Sequence, residues 1–265
     1  MRVLSIANFK GGTGKTVTAC NLAAILAAEH GKRVLLIDAD PQHNTTDFYL
    51  PAGADGEPSG DPPFTLTDIL EGTGSPDWPE NVIPTGREGL DLVAADMGLL
   101  RLDLAALADG DGQARRRMAD FLDTLRADDA FDFVIFDCPP SFTAASVAAL
   151  TASDDVILPT RVDAFSRAGV SELIDQLRGL GRSTRANFLL LVTMANRSNL
   201  SRQGAGALRS SGLWVFPTEI RDCVKVGESS YAREPLIDYA PKATATMDYR
   251  AVAGEYVAEW VKGGG

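Results

Sequence analysis

The stretch Lys10-Gly11-Gly12-Thr13-Gly14-Lys15-Thr16 decides the fold of this 265-residue chain. It lies between a short apolar run at residues 3–8 and a helical pattern at residues 15–30. Glycine lets the backbone bend so that several amide groups point inward, and the following helix adds the positive end of its dipole. A glycine-rich turn in this position is typical of a phosphate-binding loop. Lys15 is then placed to contact the β- and γ-phosphates of a nucleotide, and the Thr16 hydroxyl is placed to ligate Mg²⁺.

Apolar runs of strand length recur outward from this loop, at residues 34–37, 90–94, 133–136, 156–158, 188–194 and 213–216. Helical patterns lie between several of them, including residues 115–126 and 168–180. Residues 51–63 are rich in proline, glycine and acid, which indicates an exposed loop. Apolar strands that alternate with helices predict a single α/β domain spanning residues 1–265. We expect a doubly wound, mostly parallel sheet with helices on both faces, as in P-loop NTPases.

Acidic side chains follow two of the predicted strands. Asp38 and Asp40 come directly after the run at 34–37 with i, i+2 spacing, and Asp137 follows the run at 133–136. Ligands of open α/β sheets bind at the carboxyl ends of the strands, so we expect these carboxylates to face the phosphate loop. Phosphoryl transfer depends mainly on positioning the attacking group and neutralising charge. The three aspartates are therefore candidates for holding a metal ion and orienting a water molecule.

Charge is distributed unevenly along the chain, whose net charge is −11. Residues 1–181 hold 14 Lys/Arg against 28 Asp/Glu, whereas residues 182–265 hold 11 against 8, a local charge of +3. This asymmetry is compatible with a polyanion partner or with a mildly basic, solvated face. The cysteines, Cys20, Cys138 and Cys223, form no CxxC pair, which argues against a disulfide framework or a zinc site and fits a reducing cytosol. Two histidines are too few to indicate a histidine-based metal centre. We expect no signal peptide and no stable membrane insertion.

Four motifs resemble the ParA/MinD family of ATPases, and most closely the ParA/Soj-type partitioning members. The ordinary phosphate-loop pattern GxxxxGK[ST] requires glycine at position 9, which is phenylalanine in this chain. The loop instead carries an extra lysine, Lys10, as in the family's deviant Walker A motif KGGxGK[ST]. Residues 38–42 (DADPQ) are similar to the family's DxDPQ segment, and residues 137–140 (DCPP) to its D-x-P-P segment. Residues 220–229 (IRDCVKVGES) are similar to its IR…V…E-x-x stretch.

The resemblance assigns roles to individual residues. It implies that ATP and Mg²⁺ are the cofactors, that Lys10 reaches the phosphates bound by a partner subunit, and that Asp40 orients the attacking water. Thr16, Asp38 and Asp137 would lie around the metal. The nucleotide contacts that it implies come from Gly11, Gly12, Thr13, Gly14, Lys15, Thr16, Val17, Asn196 and Pro217.

For function, the resemblance implies a slow ATP hydrolase that forms a sandwich homodimer when ATP binds. In partitioning members the dimer binds non-specific DNA, and an activating adaptor protein of the ParB kind stimulates hydrolysis. Such a protein is cytoplasmic and associates with the nucleoid in its ATP-bound state. The resemblance places Arg197 and Lys225 of this chain at two such DNA-binding positions, and the basic residues Arg202, Arg209 and Arg221 are candidates to extend the same surface. The sequence does not indicate whether the cargo is a plasmid, a chromosome or a protein assembly.

Three alternatives remain open at this level. One is a MinD-like ATPase that cycles on membranes without binding DNA. The terminal helical pattern at residues 245–261 has an apolar stripe formed by Met247, Val252, Tyr256, Val257 and Trp260. It lacks the many basic residues of a membrane-surface helix. We therefore expect this helix to pack on the domain. A nitrogenase-like iron protein would need cysteines for a cluster between subunits. A nucleotide-binding scaffold without catalysis is the third.

Overall fold

A computed structural model of the protein describes residues 1–50, 62–75, 77–109, 112–162, 175, 186–196, 198, 204–206, 208–210 and 212–263. The side chains of residues 105–109 and 260–263 lie outside this description. The strands are β1 (Arg2–Ile6), β2 (Val34–Asp38), β3 (Ile83–Arg87), β4 (Leu90–Val93), β5 (Phe133–Asp137), β6 (Asp155–Arg161), β7 (Asn187–Thr193) and β8 (Trp214–Val215). The helices are α1 (Lys15–Ala28), α2 (Asn44–Tyr49), α3 (Leu66–Glu71), α4 (Leu99–Asp109), α5 (Gly112–Ala127), α6 (Ala144–Ala152), α7 (Val224–Ala232), α8 (Leu236–Tyr239) and α9 (Thr244–Gly263).

These strands form one sheet in the order β3-β4-β2-β5-β1-β6-β7-β8. All neighbouring pairs are parallel except the edge pair β3 and β4. The predicted doubly wound, mostly parallel sheet is therefore confirmed. The antiparallel strand β3 was not expected from the sequence, because it contains Pro84 and Gly86 and lacks an apolar run. Proline is tolerated there because an edge strand leaves one row of its backbone groups unpaired.

Two hydrophobic cores cover the two faces of the sheet, because successive strand residues point to opposite sides. In β2, Leu35 and Ile37 pack on the side of α3, α5 and α6, whereas Val34 and Leu36 pack on the side of α1 and α9. All four side chains are fully buried. Burial on both faces explains why the strands read as continuous apolar runs rather than as alternating patterns.

The terminal helix α9 packs on α1 along a buried side that carries Tyr249, Val252 and Tyr256. The prediction that this helix lies on the domain is confirmed. The prediction that Met247 belongs to the apolar stripe was wrong. Met247 lies on the side of α9 opposite to Tyr249, Val252 and Tyr256 and is 53% exposed. None of the helices described here is long and apolar enough to cross a membrane. The helix predicted at residues 168–180, apart from residue 175, and most of the loop predicted at residues 51–63 lie outside the described residues.

Candidate functional site

The loop between β1 and α1 bends at two glycines with positive φ, Gly12 (70°) and Gly14 (88°). A side chain is rarely tolerated in that conformation, and a Cβ built on Gly11, Gly12 or Gly14 would meet no atom within 4 Å. The loop therefore surrounds open space. Gly14 precedes α1 and provides no side-chain cap, so the amides of the first helical turn remain available to an external acceptor. An anionic group fits this position because it would accept those bonds and face the positive end of the helix dipole.

Lys15 begins α1 with its side chain turned back over the loop. Its Nζ lies 3.3 Å from the carbonyl oxygen of Lys10, and the residue is only 8% exposed. Burial lowers the pKa of the Lys15 ammonium, while the charges of Asp137 and Asp40 act in the opposite direction. Among the described residues, no carboxylate forms an ion pair with Lys15, and a buried ammonium in that state gains from a ligand that supplies negative charge. Lys10 is exposed at the mouth of the loop, outside this cradle.

Asp137 lies beside the loop at the end of β5, which pairs with both β1 and β2. The Thr16 hydroxyl donates to its Oδ2 at 2.7 Å, and the carboxylate is 1% exposed. Its other oxygen, Oδ1, is buried and has no hydrogen-bond partner among the described residues, a costly state for a carboxylate. Burial raises the pKa of Asp137, although the hydrogen bonds from Thr16 and Thr45 act against the rise.

This donor set fits Mg²⁺, which accepts one or two carboxylates or hydroxyls and takes its remaining ligands from water and phosphate. Thr16 and Asp137 would hold the ion, with the unpartnered Oδ1 as the available carboxylate oxygen. In the described part of the chain, no three His, Cys, Asp or Glu side chains are grouped to hold a metal by themselves. The site is therefore suited to a metal that arrives with a phosphate ligand.

Asp38 lies directly beside Asp137 in the sheet register and is fully buried. Its Oδ2 accepts from the amide and the hydroxyl of Thr46, both at 2.8 Å, and its Oδ1 accepts from the amide of Asp40 at 3.1 Å. Burial raises the pKa of Asp38, and the neighbouring charge of Asp137 raises it further. Both oxygens are thus engaged with the segment that follows β2. These contacts favour a role in shaping that segment, and the placement of Asp38 near the metal stays a prediction.

Asp40 is half-buried at the start of the same turn. Its Oδ1 accepts from the amide of Gln42 at 2.9 Å, and its carbonyl accepts from the amide of His43 at 2.8 Å. Its charge acts on the pKa values of Lys15 and Asp137, so the three charged groups lie near one another. The structure therefore brings Lys15, Thr16, Asp40 and Asp137 together around the loop.

Several supporting residues were not anticipated from the sequence. Asn8 joins β1 to β6 by donating to the Pro159 carbonyl at 2.7 Å, and it accepts the amide of Lys10 at 2.9 Å. Thr193 at the end of β7 donates to the carbonyl of Thr13 at 2.9 Å. The available signal was weak, namely polar residues at the ends of otherwise apolar strands. These bonds fix the loop to three strands of the sheet.

Two of the predicted nucleotide contacts lie outside the loop, at the carboxyl ends of neighbouring strands. Asn196 follows β7 and Pro217 follows β8, and both are exposed. Their contact with a nucleotide stays a prediction. Val17 lies in the first turn of α1, where it is partly buried.

Of the four predicted DNA-binding residues, Arg197 and Arg202 lie outside the described residues. Arg221 forms a bidentate ion pair with Asp248, and Lys225 pairs with Glu228 at 2.6 Å. Both basic side chains remain at least half exposed. The carboxylate partners reduce the positive potential of this surface, so its binding of nucleic acid stays a prediction.

Comparison with known proteins shows the family of the chain. Residues 1–190 match the family model described as an AAA domain. The chain is 35% identical to the chromosome partitioning protein ParA of Caulobacter vibrioides, over 97% of this chain and 94% of that protein. It is 31% identical to the sporulation initiation inhibitor protein Soj of Bacillus subtilis, over 97% of this chain and 98% of that protein.

Among solved structures, it is similar to cobyrinic acid a,c-diamide synthase from Mycobacterium smegmatis with bound ATP analog and magnesium. The TM-score is 0.77 and the identity 27%, over 99% of this chain and 97% of that chain. On the motifs, the fold and these matches over nearly its whole length, the chain belongs to the ParA/MinD family of P-loop ATPases.

Proposed function

We propose that this protein is a ParA-type ATPase that uses ATP and Mg²⁺ to position DNA or a protein cargo. The observation that carries the proposal is the pairing of the Thr16 hydroxyl with Asp137 in front of the bent loop, with one carboxylate oxygen unpartnered. The site is suited to a magnesium–nucleotide complex because the metal completes Asp137 while the phosphates neutralise Lys15. The similar synthase structure with ATP analog and magnesium supports the same ligand for this chain.

Different residues of the site would bind the phosphates and orient the water for hydrolysis. Lys15 and the loop amides bind the β- and γ-phosphates, and Asp40 orients the attacking water at the edge of the site. Bound Mg²⁺ supplies charge neutralisation for the leaving phosphate. Asp40 has one oxygen committed to the amide of Gln42, so its orientation is fixed while the other oxygen is available to a water molecule.

An exposed apolar surface near the mouth of the loop supports ATP-dependent homodimerisation. Phe142, which is 41% exposed, packs against Phe9 with the rings tilted at 52° and a ring-centroid distance of 3.9 Å. The helix α4 is attached close by, because Asp103 accepts the amide of Ala144 at 2.7 Å. It carries Leu104, which is 70% exposed. Exposed apolar side chains in this region favour a protein interface, and Lys10, exposed next to Phe9, would reach the partner's nucleotide from this side.

We propose further that the dimer binds DNA without sequence preference through Arg197, Arg202, Arg221 and Lys225, and that an adaptor protein of the ParB kind stimulates hydrolysis. The charge of +5 over residues 182–233 supports this assignment, with 8 Lys/Arg against 3 Asp/Glu. Such binding is directed at phosphates and weakens steeply with salt. It would localise the cytoplasmic protein to the nucleoid in its ATP-bound state.

The ATPase proposal is tested with purified wild type, Lys15→Gln and Asp40→Ala. Wild type is expected to bind ATP with Mg²⁺ and to release phosphate slowly. Asp40→Ala should keep nucleotide binding and ATP-dependent dimerisation but lose turnover. Lys15→Gln should lose all three properties. Equal turnover in wild type and Asp40→Ala would refute the catalytic assignment, and absent nucleotide binding in wild type would refute the proposal as a whole.

The DNA proposal is tested by the double variant Arg197→Glu/Lys225→Glu. The charge-matched control is Lys32→Glu/Arg126→Glu, in which Lys32 precedes β2 and Arg126 lies in the last turn of α5. The test variant is expected to dimerise with ATP but to lose retardation of DNA, whereas the control retains it. Unchanged DNA affinity in the test variant would refute the surface assignment. Flotation of wild type with anionic liposomes in the presence of ATP, without DNA binding, would favour the membrane-cycling alternative.

A further inference from the structure

The carboxylate of Asp137 accepts a second hydroxyl, in addition to that of Thr16. The Thr45 hydroxyl donates to Asp137 Oδ2 at 2.8 Å, the same oxygen that Thr16 contacts at 2.7 Å. Thr45 is fully buried in the first turn of α2, far along the chain from the phosphate loop. Two hydroxyls on one oxygen, with Oδ1 unpartnered, hold the carboxyl group in one orientation. That orientation turns Oδ1 away from both threonines.

The two hydroxyls differ in what else they can do. Thr16 belongs to the loop and is the hydroxyl placed to ligate the metal, so its bond to Asp137 is expected to change when a metal–nucleotide complex binds. The Thr45 hydroxyl has one proton, which is committed to Asp137, and its other close polar neighbour is the thiol of Cys20 at 3.7 Å. Thr45 therefore remains as the side chain that fixes Asp137 when Thr16 turns to the metal.

Thr45 also connects Asp137 to the turn that carries Asp40. The adjacent residue Thr46 is bound to Asp38 through both its amide and its hydroxyl, and it accepts the amide of Ala95 at 2.9 Å. The residue before α2, His43, donates its amide to the Asp40 carbonyl at 2.8 Å. The start of α2 is thus anchored on one side to the sheet and on the other to Asp40. A displacement of Asp137 would be transmitted to this turn through Thr45.

We propose that Thr45 is a positioning residue that orients Asp137 for the metal and couples metal occupancy to the placement of Asp40. The proposal rests on the ATPase function proposed above and goes beyond it, since Thr45 belongs to none of the family motifs in this chain. Removing a residue that orients a metal ligand lowers the affinity for the metal by about 10- to 100-fold. The role predicts that Thr45 matters for the metal more than for the nucleotide.

The test compares Thr45→Val, which keeps the shape but removes the hydroxyl, with Thr45→Ser, which keeps the hydroxyl. Thr18→Val is the matched control, because Thr18 is equally buried but pairs with Tyr249 on the far side of α1. ADP binding is measured by calorimetry, first with EDTA and then across a magnesium titration. Steady-state turnover of ATP is measured over the same magnesium range.

Magnesium is expected to raise the ADP affinity of wild type. Thr45→Val should need an about tenfold higher Mg²⁺ concentration to reach half of that increase. Its ADP affinity in EDTA should stay within about twofold of wild type. General unfolding of the site would instead lower the ADP affinity both with and without magnesium. Thr45→Ser should restore the wild-type magnesium dependence, and Thr18→Val should match wild type. A wild-type magnesium dependence in Thr45→Val would overturn the proposal, as would equal loss in Thr18→Val. Failure of the proposed function would appear separately, as wild type that neither binds ADP nor hydrolyses ATP.

Discussion

Replacing Asp137 by asparagine should stabilise the nucleotide-free protein while it removes magnesium-dependent function. Asp137 is 1% exposed, and its neighbours in the site are the neutral hydroxyls of Thr16 and Thr45 rather than a paired cation. Burial raises the pKa of Asp137 from 3.8 to about 6. The folded state therefore holds an anion at neutral pH that the unfolded chain would solvate better. An asparagine keeps the acceptor for both threonines and removes the charge.

The magnitude follows from the pKa. The difference between 3.8 and about 6 corresponds to ~3 kcal/mol of lost folding free energy once the pH exceeds the folded value. The new amide group would place an unpartnered NH₂ where Oδ1 lies, at a cost of ~1–2 kcal/mol. The net stabilisation is thus ~1–2 kcal/mol, or roughly 2–6 °C in Tm for a domain of this size.

The sign of the effect depends on pH. Below its unfolded pKa, the Asp137 carboxyl is protonated in both states and does not oppose folding. As the pH rises from there toward 6, the unfolded chain ionises first, so the stability of wild type falls. The advantage of Asp137→Asn should therefore be present at pH 7.5 and shrink toward pH 4.5. Thermal unfolding in EDTA, without nucleotide, measures the Tm difference between Asp137→Asn and wild type at each pH.

Asp155 provides the matched control, because it is an equally buried aspartate at the start of β6. Burial alone would raise the pKa of Asp155, but the hydrogen bonds from Arg2, Tyr256 and Asn187 together lower it. Its contribution to stability is present above the unfolded pKa and lost as the pH falls through the lower folded value. Asp155→Asn should thus destabilise the protein at pH 7.5 by ~3–5 kcal/mol. If both asparagine variants changed Tm in the same direction, the assignment of unpaired charge to Asp137 would be refuted.

Three further outcomes follow from the geometry. Lys15→Gln should abolish ATP binding measured by calorimetry and ATP-dependent dimerisation measured by size-exclusion chromatography; a variant that still dimerises with ATP would contradict the site. Gly14→Ala should lower stability by ~1–2 kcal/mol and weaken nucleotide binding, because φ is 88° although a Cβ meets no atom; an unchanged urea midpoint would contradict this. Tyr256→Phe removes a hydroxyl that donates to Asp155 at 2.6 Å and should cost ~1–2 kcal/mol in urea unfolding; an unchanged midpoint would show that this bond is not needed.

The sheet and the phosphate loop were predictable because each depends on local sequence. A parallel strand buried on both faces needs an unbroken apolar run, and β2 and β5 provide one that ends in an aspartate. The alignment of Asp38 with Asp137 follows, because their strands are neighbours in the sheet. The loop was predictable because its bend requires glycine at particular positions, including Gly12 and Gly14.

The supporting contacts were not predictable from sequence, because they join residues that are distant along the chain. Thr45 reaches Asp137, and Thr193 reaches Thr13, across 92 and 180 positions respectively. A threonine in a polar segment carries no signal of which carboxylate it will meet. The short edge strand β3 was missed for a related reason, since its pairing with β4 depends on the turn between them.

These contacts give a physical reason for coupling between ligand binding and the segment after β2. Asp38 and Asp137 lie side by side, and burial together with the charges of neighbouring aspartates raises the pKa of each. A bound cation would stabilise the ionised carboxylates, and most strongly Asp137, whose Oδ1 is unpartnered. If Thr45 orients Asp137 as proposed, the free energy released would favour the conformation in which Thr45 holds Asp137. Because Thr46 fastens the same helix to Asp38, a metal–nucleotide complex would stabilise the whole turn around Asp40 rather than a single side chain.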